Sequence, residues 1–408
     1  MKTLIMCATN VAASPEERRA RRPIARDTDA YQGMLRSYGD IAGWADELGF
    51  DGLGSTEHHF QTEGGETIPN ALLFYAKLAA QTERIMFVPL SIILPAQNPI
   101  RVAEDLALFS HMYPGRIGVG FARGYQTRWM QTLAQDDAVT SMQPDSDARN
   151  REIFDEYLSI VERAWDEDSF QHNGKHFQIP YPAEGIRNWA LADWTRAYGS
   201  PDEVDAEGTV HKIGVLPKPL HRPTIFIPNT YSRQTAIDAA RHGRTLLSLA
   251  GVEHLGPLTE QYQDIARENG RDLPRGEGVG IVRKIVLGDT FDEAFDLAVR
   301  TAGYWYQNFF QAFGINEAFR IPSDAPDRRL NLGDARALTR RMHETGALLC
   351  GTPDQVRDDL EKTVQAGGGR LDWLVWEFWA QALYGDDAPE IQRGQLKAYA
   401  EQIMPAFR

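Results

Sequence analysis

The sequence predicts an α/β fold, a closed (β/α)8 TIM barrel with loop insertions. Three observations lead there. Apolar runs of strand length alternate almost strictly with segments of helical periodicity, the pattern of a parallel sheet with crossover helices. Eight strand candidates are present, the count at which such a sheet closes on itself, although an open doubly wound sheet shares the same local pattern. The run Ile85 to Leu94 is nearly continuous in apolar residues, which is how a strand reads when both of its faces are covered. With 408 residues, 42% hydrophobic and 25% charged, the chain has an ample core. Barrels of this kind run long as one unit, so residues 1–408 are expected to form a single domain.

The elements follow in order. Leu4-Ile5-Met6-Cys7-Ala8 is the first strand. After a polar, Arg-rich loop, Ile41, Trp44, Ala45 and Leu48 recur at helical spacing, and Gly49 stops the helix. The second strand opens at Phe50-Asp51 and runs through Gly52-Leu53-Gly54 toward Glu57. Pro69 to Thr82 carries Leu72, Leu73, Ala76, Leu78 and Ala79 and reads as a helix before the third strand, Ile85 to Leu94. Asn98-Pro99 opens the next helix: Asn caps it, and Pro loses nothing at a first helical position that has no use for its amide. Arg116 to Ala122 is the fourth strand, followed by a helix from about Ala148 to Trp165. Thr224 to Pro228 and Thr245 to Ala250 are the fifth and sixth strands, separated by a helix from Gln234 to Arg241. Leu258 to Glu268 is a helix and Val279 to Leu287 the seventh strand. Thr290 and Glu293 have capping-box spacing ahead of a long helix reaching about Phe313, and Thr352-Pro353-Asp354-Gln355 repeats that logic. Leu371 to Phe378 is the last strand, and a helix from about Glu390 closes the chain. Three segments break the rhythm, Val11 to Asp29, Gln178 to Pro223 and Asn316 to Met342. The last two are expected as long insertions, and in a barrel the strand-to-helix loops build the active face.

Composition excludes several classes. A net charge of −14 argues against nucleic-acid binding, which needs clustered cations. The one basic cluster, Arg18, Arg19, Arg21 and Arg22, shares its segment with Glu16, Glu17, Asp27 and Asp29 and reads as a solvated loop. Cys7 and Cys350 make neither a metal-ligand pair nor a disulfide framework, which fits a reducing cytoplasm. No run is long enough to span a bilayer, and Met1 to Asn10 is too short for a signal peptide.

Four constellations could carry chemistry. Glu57-His58-His59-Phe60 bunches titratable groups where a strand meets a loop. Histidine, with a pKa of about 6.5, exchanges protons near neutrality. Adjacent residues on extended backbone face opposite ways, so His58 and His59 are expected to do different jobs, one in the cavity and one as a packing or anchoring group. Two histidines satisfied locally is the plainer reading, and no further ligand falls at metal spacing. Gly118-Val119-Gly120-Phe121-Ala122-Arg123-Gly124-Tyr125 brings glycines, which let a ligand approach the backbone, together with a cation able to grip an anion, or is simply a packed strand followed by a surface Arg. Asn229-Thr230-Tyr231-Ser232-Arg233-Gln234-Thr235 sets hydroxyls at a helix start, either as an anion site or as ordinary capping. Tyr304-Trp305-Tyr306, with Phe309 and Phe310, is an aromatic stripe of the kind that usually packs in a core. The spacing of Gly118, Gly120 and Gly124 does not match the Gly-x-Gly-x-x-Gly dinucleotide fingerprint, and no phosphate-binding loop or nucleophile elbow is present.

Taken together, these segments resemble the bacterial luciferase-like, flavin-dependent monooxygenase superfamily, and its luciferase alpha-subunit type in particular. The resemblance rests on Gly49-Phe50-Asp51 leading to Glu57-His58-His59-Phe60, on Leu94-Pro95 and Asn98-Pro99-Ile100-Arg101-Val102-Ala103-Glu104-Asp105, on Gly115-Arg116-Ile117 through Arg123-Gly124, and on Gly351-Thr352-Pro353-Asp354-Gln355-Val356. It implies a barrel with flavin at the carboxyl ends of the strands, and His58 as the catalytic base, with Glu57 or a backbone carbonyl fixing its tautomer. It further implies that Arg123, with Tyr125 nearby, and the Tyr231, Ser232 and Thr235 loop grip the FMN phosphate. A non-prolyl cis peptide at Leu90-Ser91 would lie beneath the flavin ring, with Trp305 near that ring. Ala122 stands where the light-emitting relatives carry a reactive cysteine, which argues against luminescence.

The activity so implied is a two-component monooxygenase. Reduced FMN from a separate flavin reductase would react with molecular oxygen to a flavin hydroperoxide, which oxygenates a hydrophobic small molecule such as an aldehyde, a ketone or a natural-product intermediate. A cytoplasmic homodimer with no metal is expected by the same analogy. The alternatives are a deazaflavin-dependent hydride-transfer oxidoreductase on the same barrel and a non-catalytic flavin-binding protein.

Overall fold

The computed structural model describes residues 1–408 apart from Ala138, Met142, Gln143, Tyr231 and Pro326. Two compact units emerge. The first comprises Met1–Ile92, Gly118–Phe121 and Thr224–Arg408, the second Ile93–Ile117 and Ala122–Pro223.

The first unit is built on a parallel sheet. Its strands are β1 (Lys2–Met6), β2 (Gly52–Ser55), β3 (Met86–Pro89, resuming as Ile92–Ile93), β4 (Gly118–Ala122), β5 (Thr224–Asn229), β6 (Thr245–Ser248), β7 (Val279–Leu287) and β8 (Trp373–Glu377). The hydrogen-bonded path runs from Met86–Pro89 through β2, β1, β8, β7, β6, β5 and β4 to Ile92–Ile93. It begins and ends on β3, so the sheet closes as the predicted (β/α)8 barrel, with all eight expected strands in place.

Closure depends on size complementarity inside. Leu4, Val88, Leu90, Phe226, Leu247, Val282, Trp373 and Val375 fill the barrel interior, while β2 and β4 present glycines to it. A Cβ on Gly54 would sit 2.6 Å from the Val88 carbonyl oxygen, and one on Gly120 would sit 2.7 Å from Leu90 Cδ2. Both positions therefore exclude any side chain. Outside the sheet, Trp376 donates its indole N–H to the Ile285 carbonyl at 3.0 Å and packs against Phe50, Phe378 and Tyr399.

The second unit is helical with a small β-hairpin. Pro99–Met112 packs on Pro144–Asp166, and Trp165 Nε1 donates to the Ala103 carbonyl at 3.1 Å. Asn98 caps the first of these helices with Pro99 at its first position, as predicted. Ile93, Trp129, Met130, Val139 and Ile153 form the core of this unit. His172–Asn173 pairs antiparallel with Gln178–Ile179.

Several expectations need correction. The helix predicted to run from Thr290 to about Phe313 starts with its capping box but is broken: Phe291–Ala298 gives way to a π-turn at Val299–Gly303, and Tyr304–Asn308 resumes the helix. Thr301 Oγ1 donates back to the Leu297 carbonyl at 2.7 Å, and Gly303 lies so close to Thr339 and Ala335 that no Cβ fits. Both are recognised causes of a distorted helix. The Asn316 to Met342 segment is no plain loop, since it holds most of the helix Ala335–Glu344. Leu348–Gly351 is an unforeseen strand, parallel to the end of β7. The Gln178 to Pro223 segment contains the helix Ala192–Tyr198. In the Val11 to Asp29 segment, Ser14 and Glu17 form a capping box for a helix at Pro15–Ala20. Arg18 is not solvated as expected: it donates to the Glu63 carbonyl at 2.9 Å and lies 4.8 Å from the Trp305 ring centre. Among the described residues, no helix is long and apolar enough to cross a membrane.

The packing at β2 yields a paired prediction. Gly54→Ala should destabilise the fold by about 1–3 kcal/mol because the barrel wall cannot give way. Gly43→Ala, in the helix Thr28–Glu47 with nothing within 4 Å of the added carbon, should stabilise it by about 0.5–1 kcal/mol. Urea unfolding midpoints of the two variants check both signs.

Candidate active site at the carboxyl ends of the strands

The site begins where β2 runs out. Phe60 (φ 60°) and Glu66 (φ 49°) both adopt left-handed backbone and turn the chain back on itself. His58 N donates to the Ile68 carbonyl at 3.1 Å, and Thr67 N donates to the Thr9 carbonyl at 3.0 Å. The return brings Glu66 between the end of β1 and His58. Its amide donates to Asn10 Oδ1 at 2.7 Å, its Oε1 accepts from Thr56 Oγ1 at 3.0 Å, and its Oε2 lies 2.8 Å from His58 Nδ1. His58 and Glu66 are both buried. A carboxylate this close to Nδ1 suits the tautomer that carries its proton on that nitrogen.

His59 has a different carboxylate. Its Nε2 lies 3.0 Å from Glu57 Oε1. The expectation that Glu57 orients His58 is therefore corrected to Glu66. The loop's return supplies Glu66 to His58, while Glu57 is taken by His59. The prediction that the two histidines diverge is met.

Asn10, fully buried, ties this loop to the 3-10 turn Trp379–Ala382 that follows the last strand. Its amide N donates to Gln381 Oε1 at 3.3 Å, and its carbonyl accepts from Gln381 Nε2 at 3.4 Å. Around the same ends of β1, β5 and β8, four buried polar atoms lack a hydrogen-bond partner among the described residues: Thr9 Oγ1, Asn10 Nδ2, Asn229 Oδ1 and Trp379 Nε1. Each such atom costs about 1–3 kcal/mol when left unsatisfied, so each is a candidate contact for a polar ligand. Two N–H donors, one amide acceptor and one hydroxyl match the carbonyl and imide edge of a flavin ring. The Leu90–Ser91 peptide is cis, at the expected position, and Gly120 lets β4 lie against it: a Cβ there would be 2.9 Å from Ser91 Oγ.

The other predicted residues fall as follows. Ser232 is the N-cap of the helix Arg233–His242, its hydroxyl accepting from Thr235 N at 3.2 Å. Tyr231 lies outside the described residues. Trp305 is buried, with Arg18 over its ring and Gly65 at its edge, where a Cβ would approach Cζ3 to 3.0 Å. Arg123 and Tyr125 belong to the second unit. There Arg123 Nη1 is held by Asp147 Oδ1 at 2.5 Å, and the Tyr125 hydroxyl accepts from Gln126 Nε2 at 3.2 Å.

Sequence reading missed Glu66, Asn10, Gln381 and the buried pair Lys284–Glu377. For Glu66 a signal existed in Gly64-Gly65, which marks a tight return of the loop carrying the histidines.

Comparison with known proteins gives the family and the fold. Residues 21–370 match the luciferase-like monooxygenase family. The chain is similar to the 3,6-diketocamphane 1,6-monooxygenase of Pseudomonas putida, 25% identical over 374 residues covering 88% of this chain and 90% of that one. Its fold is similar to the solved oxygenating constituent of the Pseudomonas putida 3,6-diketocamphane monooxygenase, a type II Baeyer-Villiger monooxygenase in complex with FMN, with TM-score 0.71, 21% identity and coverage of 100% and 99% of the two chains. An F420-dependent secondary alcohol dehydrogenase shares the fold at TM-score 0.60 and 15% identity, with both chains covered in full. On the family match across most of its length, the chain belongs to the luciferase-like monooxygenases and is a flavin-dependent monooxygenase.

Proposed function

We propose that this chain is the oxygenating component of a two-component system, taking reduced FMN from a separate reductase and inserting an atom of molecular oxygen into a hydrophobic carbonyl compound. The observation that carries the reading is the buried His58–Glu66 pair at the carboxyl end of β2. When bound, the reduced flavin supplies the electrons that activate oxygen. The protein supplies the rest. His58 Nε2 holds or releases the proton that the oxygen chemistry moves, and Glu66 keeps the ring in the required tautomer. Ser232 and Thr235 offer a helix N-terminus to the phosphate, where backbone N–H groups and the helix dipole favour an anion. Arg123, which Asp147 holds, belongs to this reading as a phosphate-binding cation. Thr9, Asn10, Asn229 and Trp379 hold the polar edge of the ring, and Trp305 packs near it. A homodimer in the cytoplasm belongs to the same reading.

The support lies in the family match, in the FMN carried by the diketocamphane monooxygenase of like fold, and in the donor set of the barrel mouth. The F420-dependent relative of like fold keeps hydride transfer from a deazaflavin as the second reading. Titration of the purified protein with FMN and with F420 separates them.

Two experiments test the leading reading. With reduced FMN, oxygen and a hydrophobic ketone, His58→Ala should lower product formation by about 10²–10⁴-fold, read by mass spectrometry with 18O2. Oxygen uptake should continue in that variant as hydrogen peroxide. Glu66→Gln should lower product formation and Glu57→Gln should not, and the reverse result would return the orienting role to Glu57. In equilibrium titration, Arg123→Met should weaken FMN binding about tenfold, a charge-assisted contact being worth roughly 1.5–3 kcal/mol. Asp147→Asn should tighten it by about threefold, the scale of a partly exposed ion pair.

A further inference from the structure

Inside the barrel lies a second charged group, which the mechanism above does not use. Lys284 on β7 and Glu377 on β8 are register partners, and Met6 on β1 is the partner of Glu377 on its other side. Val282, Trp373 and Val375, at alternate positions on the same two strands, belong to the interior core. Two residues further on, Lys284 and Glu377 therefore face the same interior, one layer nearer the carboxyl ends. Nζ lies 2.5 Å from Glu377 Oε2, and the two side chains are only 3% and 7% exposed.

Stability does not explain this pair. Desolvating each ion costs several kcal/mol, and an apolar pair of equal volume fills a core as well or better. The neighbouring Arg283 shows what a purely structural buried cation looks like: Nη1 donates to the Val282 carbonyl at 2.8 Å and Nη2 to the Ala250 carbonyl at 2.9 Å. Lys284 is held differently. Glu377 accepts from the Tyr306 hydroxyl at 3.1 Å, and Nζ stands 4.4 Å from the Tyr306 ring centre and 5.5 Å from that of Phe319. Burial pushes the ammonium pKa down, and Glu377 opposes that shift. An ammonium has three donors, and the carboxylate occupies one. The surroundings are aromatic, since Tyr306 also packs against Phe310 and Trp379 at 4.9 and 5.8 Å between ring centres.

We infer that Lys284 is the carbonyl-binding residue of this enzyme, donating a hydrogen bond to the substrate's carbonyl oxygen, with Glu377 and Tyr306 as the positioning residues that fix it. A point donor among aromatic side chains suits one oxygen on an apolar skeleton. Donation to that oxygen draws electron density from the carbonyl carbon and orients it. The inference rests on the monooxygenase reading for its substrate class, but it is tested without turnover.

The test is equilibrium binding to the protein as purified, followed by tryptophan fluorescence, of a bicyclic ketone and of the hydrocarbon with the same skeleton. The wild type should prefer the ketone by about tenfold or more, the scale of one hydrogen bond to a charged donor. Lys284→Met should bring the two affinities together while hydrocarbon binding stays as it was, and Lys284→Arg should recover part of the preference. A Lys284→Met protein with an unchanged ketone preference, or a wild type with none, overturns the inference. Should Lys284→Met fail to fold, the double variant Lys284→Met/Glu377→Leu removes both charges, and the same ratio is read. A protein that binds ketones through Lys284 but incorporates no oxygen loses the monooxygenase reading and keeps this one. One that oxygenates substrates yet shows no role for Lys284 in ketone binding does the reverse.

Discussion

The site hangs on one buried residue. Asn10 has no exposed surface, and three of its four polar groups go to two different parts of the barrel rim. The backbone N–H and C=O exchange hydrogen bonds with the Gln381 side chain, while the side-chain oxygen accepts from the Glu66 amide. Hydrogen bonds of this kind are each worth about 0.5–1.5 kcal/mol net, yet breaking one inside a barrel exposes the full desolvation cost of its partner. The loop from Phe60 to Thr67 has further anchors: Val11 N donates to the Gly64 carbonyl, Ala25 N to the Thr62 carbonyl, Arg18 to the Glu63 carbonyl and the Tyr31 hydroxyl to the Thr67 carbonyl. The position of Glu66 beside His58 thus depends in part on the link between the residues that follow β1 and those that follow β8.

That dependence explains why two adjacent histidines can behave differently. Each finds its own carboxylate, Glu66 for His58 and Glu57 for His59. The His59 pair is satisfied within a span of three residues and needs no tertiary support. The His58 pair exists only because the loop returns. A group whose orientation is enforced from outside its own segment is suited to chemistry that must be switched on by folding, whereas a local pair is suited to anchoring the turn.

Much of the framework was legible in the sequence because it follows from local rules. Strand alternation, the Thr290 and Thr352 capping boxes and the Asn98-Pro99 helix start depend on residues within a few positions of one another. What escaped depends on contacts across long separations. Leu348–Gly351 is a short strand that exists by pairing with β7. The aromatic helix after Thr290 breaks because Gly303 is crossed closely by the segment carrying Thr339 and Ala335. Arg18, in a segment that looks solvated, is drawn over Trp305, nearly 300 positions away in sequence. The candidate site divides the same way. His58, Ser232 and the Leu90-Ser91 peptide announce themselves by motif. Glu66, Asn10 and Gln381 acquire meaning only when the strand ends meet.

The Arg283-Lys284 step in β7 shows how a strand conceals chemistry. Read linearly, two cations in Val279 to Leu287 look like a break in an apolar strand or a solvated edge. Yet every residue of β7 is buried, so neither charge reaches bulk water, and alternation sends them to opposite sides of the sheet. Outside, Arg283 finds carbonyl oxygens, which are numerous where strands end and helices begin. Inside, few backbone acceptors remain, because the sheet's own hydrogen bonds consume them. A cation there must be matched by a side chain, and Glu377 is in register to do so. The interior of a closed parallel barrel is therefore a severe filter. Apolar residues enter it freely, glycines enter where neighbours are large, and a charge persists only with a partner across the ladder. A pair retained at that cost, at the end of the barrel where the loops gather, is better explained by what it binds than by what it stabilises.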